Sequence, residues 1–327
     1  MRSKVTAGVV QIGINTSDIP ATLRLYCEAL GFANGGAQAV WGDMMQGQGL
    51  QKDARCILFW LVGAQEFFQF EVFQHTHPAQ KEKASSWKPS DIGWSGIGVE
   101  VADFDRALIV LKEFNIGVTP TRNNQGYRRA FFTDPFVKIL VEIIEADPTV
   151  QAEMPCVKYV TRSVKDIERA RVFYQDRLGL SLLDLGTLRE DSDALAWSDS
   201  PLKRKGFVAQ TFGPLIEIVE YSPTGREITA DHSIVDQGIM NIAIGSRDNE
   251  RILRIIDAHL KEHSEELTLV KAPGLVATYL LDSNIELELL SAPPEMDSAL
   301  GFTQQAPFFG LVTADGEGMS IRKVTSL

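Results

Sequence analysis

Apolar and polar residues alternate over 9–16 (VVQIGINT), and the period then lengthens to a helical one over 17–32 (SDIPATLRLYCEALGF). A period of two giving way to a period near 3.6 predicts a strand, a turn and a helix. Asp18 stands where a side chain can cap the first turn, Pro20 suits that turn, and Gly31 falls just past the helix end. The same signals return at 157–164 (VKYVTRSV) and 165–180 (KDIERARVFYQDRLGL). Tyr26, Leu30 and Gly31 lie 8, 12 and 13 residues after Asp18, and Tyr174, Leu178 and Gly179 lie at the same distances after Asp166. A repeat of this length marks a duplicated supersecondary unit.

Weaker copies begin at 96–117, around Asp103, and at 240–260, around Asp248. The first aspartate precedes the third by 148 residues and the second precedes the fourth by 145, so a block of two units was duplicated. Strand-like runs follow each helix, and the last of each set carries glutamate: Glu71 in EFFQFEVFQ, Glu142 in FVKILVEIIE, Glu217 in PLIEIVEYS, and Glu286 and Glu288 in SNIELELLS. The predicted fold class is α+β, a βαβββ module used four times. Residues 1–147 form one expected domain of two modules and 148–292 a second, with a tail over 293–327. The joint falls in the polar stretch 145–155, bracketed by Pro148 and Pro155.

Composition narrows the function classes. The 327 residues are 44% hydrophobic and 23% charged, which is globular usage and leaves material for real cores. A net charge of −11 argues against nucleic acid or an anionic membrane surface as partner. No apolar run approaches the roughly 18–20 residues of a membrane span, and the N-terminus enters a strand pattern without signal-peptide features. Cys27, Cys56 and Cys156 show no CxxC spacing, so the expectation is a reduced, cytoplasmic protein without a zinc–thiolate site.

The fourfold module, the FY…LG helix ends and the TDP…VEIIE strand together resemble the vicinal oxygen chelate superfamily, which includes glyoxalase I, extradiol dioxygenases and bleomycin-resistance proteins. The resemblance covers roughly residues 7–292. It implies that adjacent modules close into two cup-shaped half-barrels, with a divalent metal (Mg, Mn, Co or Zn) held by the first and last strands of each module. Matched position by position, the first cup offers Gln11, Glu71 and Glu142 as metal ligands, with Gly96 at the fourth place. The second offers Tyr159, Asn241, Glu217 and either Glu286 or Glu288. In the first predicted strand, alternation puts Val10, Ile12 and Ile14 toward a helix layer and Gln11, Gly13 and Asn15 toward the cup.

None of the four first-strand positions is histidine, which argues against extradiol ring cleavage, since that iron site takes two histidines and a carboxylate. Glutamates in a cup still suit proton transfer. The expected function is therefore a glyoxalase-like isomerase or lyase acting on a small carbonyl- or phenol-bearing molecule, with or without a divalent metal. Glu71, Glu142, Glu217 and Tyr159 are the expected catalysts, and Asn241, Arg128, Glu288 and Trp60 the expected substrate contacts. The alternative is a metal-free protein that sequesters a small molecule, like the bleomycin-resistance branch. Arg128 and Arg129 suit a carboxylate or phosphate clamp, or an internal ion pair. His75 and His77 are expected beyond the last strand of their module, and His259 and His263 share one helix face. Because the duplicated chain can complete both cups itself, a monomer and a homodimer are both compatible.

Overall fold

Each alternating run forms a strand, and an aspartate caps the first turn of each long helix. In the first module β1 (Gly8–Asn15) leads to α1 (Ile19–Arg24), which continues through a π-helical turn at Leu25–Ala29. Asp18 accepts a hydrogen bond from the Ala21 amide at 3.0 Å, and Gly31 closes the helix at φ +89°, a left-handed conformation that glycine adopts without steric cost. β2 (Ala33–Trp41), the short α2 (Asp43–Gly47), β3 (Arg55–Val62) and β4 (Gln69–His77) complete the module. The second comprises β5 (Gly93–Val101), α3 (Phe104–Glu113), β6 (Thr119–Arg122), β7 (Arg128–Thr133) and β8 (Leu140–Glu145). The third comprises β9 (Cys156–Ser163), α4 (Ile167–Arg171) with its own π-helical turn, β10 (Leu182–Asp184), β11 (Lys203–Ala209) and β12 (Leu215–Ser222). The fourth comprises β13 (Gly238–Ser246), α5 (Asn249–His263), β14 (Leu267–Ala272), β15 (Leu275–Leu280) and β16 (Leu287–Ser291). Two tail strands follow, β17 (Phe309–Val312) and β18 (Ser320–Val324). This computed structural model describes residues 7–122, 126–149, 153–198, 202–229, 232–263, 266–280, 286–303, 309–312 and 320–326.

The described strands form two mixed sheets. One runs β17-β2-β3-β4-β1-β13-β16-β15-β14-β18 and the other β10-β11-β12-β9-β5-β8-β7-β6. The modules therefore do not pair with their sequence neighbours in the order expected. The first joins the fourth through antiparallel β1 and β13, and the second joins the third through β5 and β9. Connection length accounts for this. Ten residues separate β8 from β9, which lie in one sheet with only β5 between them, whereas fifteen separate β4 from β5 and β12 from β13, enough to cross from sheet to sheet.

Helices α1, α3, α4 and α5 lie between the sheets, with one large core reaching Ile12, Leu25 and Phe70 from one side and Ile97, Val160 and Ile218 from the other. Val10 departs from the expected alternation. A register shift between Val9 and Gln11 turns it to the cup side, where it packs with Ala243, Val270 and Leu290. Gln11 and Gly13 keep their expected side. His75 and His77 are also not beyond the last strand: both belong to β4, and His75 is buried with Nδ1 3.0 Å from Asn15 Oδ1.

The tail constrains the curvature of the ten-stranded sheet. Laid flat, its two edge strands β17 and β18 would stand about 43 Å apart at ~4.8 Å per strand. The eight steps from Val312 to Ser320 reach at most about 29 Å, so the sheet must curl into a cup.

In the second sheet-to-sheet connection, His232 stands 3.4 Å from Asp236 and 3.1 Å from Glu286. Hydrogen bonds to Asp236 and Glu286 raise its pKa from 6.5 to about 9. A histidine held in its charged form contributes stability that is complete below the unfolded value and lost as pH rises through the folded one. The wild-type melting temperature should therefore include a component that falls between pH 6.5 and about 9, and His232→Gln should flatten that part of the profile. Thermal unfolding monitored by circular dichroism across this range checks it.

Candidate functional site

The two cups are built alike and filled differently. In both, the first strands run antiparallel about a local two-fold. Gln11 lies opposite Ala243 and Asn241 opposite Gly13, just as Gly96 lies opposite Thr161 and Tyr159 opposite Gly98. The facing small residues are required: a Cβ on Gly13 would collide with the Asn241 amide, and one on Gly98 with the Tyr159 ring. The last strand of each module pairs parallel with its first strand. It sets Glu71 beside Gly13, Glu142 beside Gly98, Glu217 beside Thr161 and Glu288 beside Ala243. All four glutamates thus occupy one structural position, and Glu288 rather than Glu286 is the equivalent one. Glu286 instead pairs with His232 and Arg162.

The expected trio of Gln11, Glu71 and Glu142 is consequently divided. Gln11 and Glu71 share the cup of modules one and four with Asn241 and Glu288, while Glu142 lies on the other sheet with Tyr159 and Glu217. The constellation of Glu217, Tyr159 and Asn241 is divided in the same way.

The cup of modules two and three is closed. Arg189 arrives from the segment between β10 and β11 and binds Glu217 through two nitrogens, with Nε at 3.1 Å and Nη2 closer still. Arg204 adds a contact to Glu217 at 3.4 Å and donates to the Arg189 carbonyl at 3.1 Å. Arg129 pairs with Glu142 and, at 3.0 Å, with Asp193, while the Tyr159 hydroxyl donates to Glu142 and Thr161 donates to Glu217 at 2.7 Å. Burial, with Glu142 and Glu217 nearby, holds the Tyr159 phenol well above its ordinary pKa. Three guanidinium groups thus meet Glu142, Glu217 and Asp193, and the space beside Tyr159, Thr161 and Arg189 has no room for a water molecule. Arg128, expected as a ligand clamp, points elsewhere and pairs with Asp105 at 2.6 Å and Glu145 at 2.7 Å.

The cup of modules one and four encloses a cavity of about 160 Å³. Trp60, Phe73, Leu58, Leu275 and Leu290 supply apolar walls, and Leu300 from the tail covers part of them. Into this space project Gln11, Glu71 and Glu288, with Asn241 buried beside Glu288 but outside the lining. The Trp60 indole donates to Glu71 at 3.3 Å, and at the symmetry-related place Tyr279 bonds to Glu288. Asn241 Nδ2 donates to Glu288 at 3.2 Å, whereas Gln11 Oε1 and Asn241 Oδ1 are buried without a hydrogen-bond partner. Burial raises both carboxylates well above their ordinary pKa, and for Glu288 the charge of Glu71 adds to the effect. The pair therefore retains a proton near neutral pH.

Among the described residues no three His, Cys, Asp or Glu side chains gather as a metal site. The unpartnered Gln11 Oε1 adds to a different donor set. With the two carboxylates it puts hard oxygens on one cavity, which fits a divalent cation such as Mg, Mn or Co better than a softer ion. Tyr279, Arg189, Arg204 and Asp193 escaped the sequence reading. Tyr279 faces Glu288 as Trp60 faces Glu71, a symmetry visible only once strand pairing is known. Arg189 and Asp193 come from the connection between β10 and β11, and Arg204 from β11 itself, where the repeat offers no matching signal.

Comparison with solved structures places the fold. Glyoxalase I from Zea mays is 16% identical and superposes with a TM-score of 0.52 over 88% of this chain and 92% of that one. A candidate dioxygenase from Bacillus subtilis is 12% identical, with a TM-score of 0.59 over 93% of each chain. No protein-family model matches the sequence, and no curated protein is significantly similar to it. The chain shares the fold of these two proteins, built from four βαβββ modules.

The closed cup and the open one respond differently to loss of charge. Arg189→Met leaves Glu217 buried beside an incomplete partner set and should destabilise the protein by roughly 3–5 kcal/mol. Glu71→Gln removes a carboxylate whose charged form burial disfavours and should leave stability nearly unchanged. Urea denaturation of both variants measures the contrast.

Proposed function

We propose that the protein is an enzyme whose active site is the cup of modules one and four, and that it moves a proton within a small uncharged molecule bearing a carbonyl or phenol group, as an isomerase or lyase does. The supporting observation is the pair Glu71 and Glu288, facing one apolar cavity from symmetric positions with pKa values raised by burial. One carboxylate of such a pair is ionised when the other is protonated, so a base and an acid are available together. The ionised member would take a proton from the carbon beside the carbonyl, and the protonated member would return one at a neighbouring atom. Trp60 and Tyr279 hold the two carboxylates in place, and the apolar walls exclude water.

The described cavity lining contains no lysine, arginine or histidine, which favours an uncharged substrate over an anionic one. It also contains no pair of histidines of the kind that extradiol iron sites use. A divalent cation on Gln11, Glu71 and Glu288 would polarise a bound carbonyl as a Lewis acid. Its binding would displace the proton that the carboxylates otherwise share.

A second reading, ligand sequestration without turnover, draws on the predominantly apolar lining. Elemental analysis of the protein purified without a metal-binding tag, with melting curves in added Mn²⁺ or Mg²⁺, tests the metal centre. The expectation is near-stoichiometric metal that raises the melting temperature. Glu71→Gln and Glu288→Gln should each lose that metal, and should reduce turnover of a carbonyl substrate at least ~100-fold, the scale of general acid–base contributions. Normal metal content and turnover in both variants would remove this cup from consideration. Ligand-induced stabilisation without product would favour sequestration.

A further inference from the structure

A second cavity, of about 220 Å³, lies outside both cups, where the connections 78–92 and 223–237 meet β5 and β13. Its walls include Trp87, Trp94, Ile228 and Met240, and Lys83 and His232 stand among them. Trp94 is buried, its indole N–H held at 3.0 Å by the Glu286 carbonyl and its ring covered by the Arg162 guanidinium at 5.0 Å. The aromatic wall is therefore held in position before any ligand arrives.

Among the described residues, every charged group lining this cavity but one has an ion-pair partner, Glu227 through Lys165. His232 contacts Asp236 and Glu286, Arg226 meets Asp91 at 2.6 Å, and Arg162 meets Glu286 at 3.4 Å. Lys83 differs. Its ammonium donates to the Lys138 carbonyl at 3.2 Å and lies 4.3 Å from the Trp87 ring centre, with no carboxylate of the described residues within ion-pair distance. Burial pushes its pKa down to about 8, against the pull of the more distant Asp91 and Glu286. A desolvated ammonium without a counter-ion is costly, and an anion brought by a ligand relieves that cost.

We propose that this cavity is a second ligand site, taking a small flat carboxylate whose charge pairs with Lys83 and whose apolar body lies against Trp87 and Trp94. Tryptophan faces suit a planar group, and a single well-placed cation fixes its orientation. The site differs from the cup in one respect that matters for an anion: Lys83 stands in its lining, and the described lining of the cup holds no cationic side chain. Its occupancy therefore does not depend on the proposed active site.

Isothermal titration of the full chain with benzoate tests this directly. Saturable binding is expected, weakened at least ~10-fold by Lys83→Met, about the loss of one charge-assisted contact. Glu71→Gln should bind benzoate within about twofold of wild type, a change worth well under 1 kcal/mol, and benzyl alcohol, with the same ring and no charge, should give no measurable binding. Trp87→Ala should also weaken benzoate binding, and supplies the test if Lys83→Met fails to fold by circular dichroism. Absence of saturable benzoate binding to wild type overturns the proposal. So does binding that survives both Lys83→Met and Trp87→Ala, that is lost in Glu71→Gln, or that benzyl alcohol matches.

Discussion

Every module carries a glutamate to the floor of a cup, so each cup begins with two carboxylates in one buried space. Two such charges cannot both remain ionised in a low-dielectric setting unless something of opposite sign joins them. The protein meets this constraint twice, in two ways. In the cup of modules two and three, Arg129, Arg189 and Arg204 enter and the space fills with ion pairs. In the cup of modules one and four no arginine of the described residues lines the cavity, and the carboxylates instead keep a proton. The first solution produces rigidity. The second leaves two groups whose protonation responds to whatever binds.

Symmetry places the groups and local sequence decides their fate. The antiparallel first strands set an amide or phenol against a glycine on each side, and the parallel last strands set each glutamate next to them. From this shared frame the cups diverge through residues that the repeat does not contain. Module three contributes Arg189 and Asp193 from its own connection, and the tail contributes Leu300 to the open cup. Duplication thus supplied two equal frameworks, only one of which still has room for a ligand.

Much of this was legible in the chain. Period changes, capping aspartates and the glycines at helix ends located the modules, because these signals are local and act within a few residues. The glutamates were legible as well. Glu71 and Glu217 are separated by 146 residues, as are Glu142 and Glu288, which singles out Glu288 over Glu286. What the pattern could not supply was partnership. Whether Glu71 meets Glu142 or Glu288 depends on which first strands pair, a long-range choice set by connection lengths rather than by alternation. Val10 was misplaced for a related reason: a one-residue shift in a ladder reverses the facing of a side chain without changing the pattern that predicts it.

The tail strands have a role apart from ligands. A sheet edge offers unpaired amides and carbonyls to any passing strand, and the hazard grows with the length of the edge. The eight-stranded sheet ends in β10 and β6, of three and four residues, too short to recruit a partner effectively. The ten-stranded sheet would end in β2, with nine residues, and β14, with six. Those are the two strands on which β17 and β18 dock. The last stretch of the chain thus acts as a built-in guard against self-association, and a protein clipped before it would present two long adhesive edges to its neighbours.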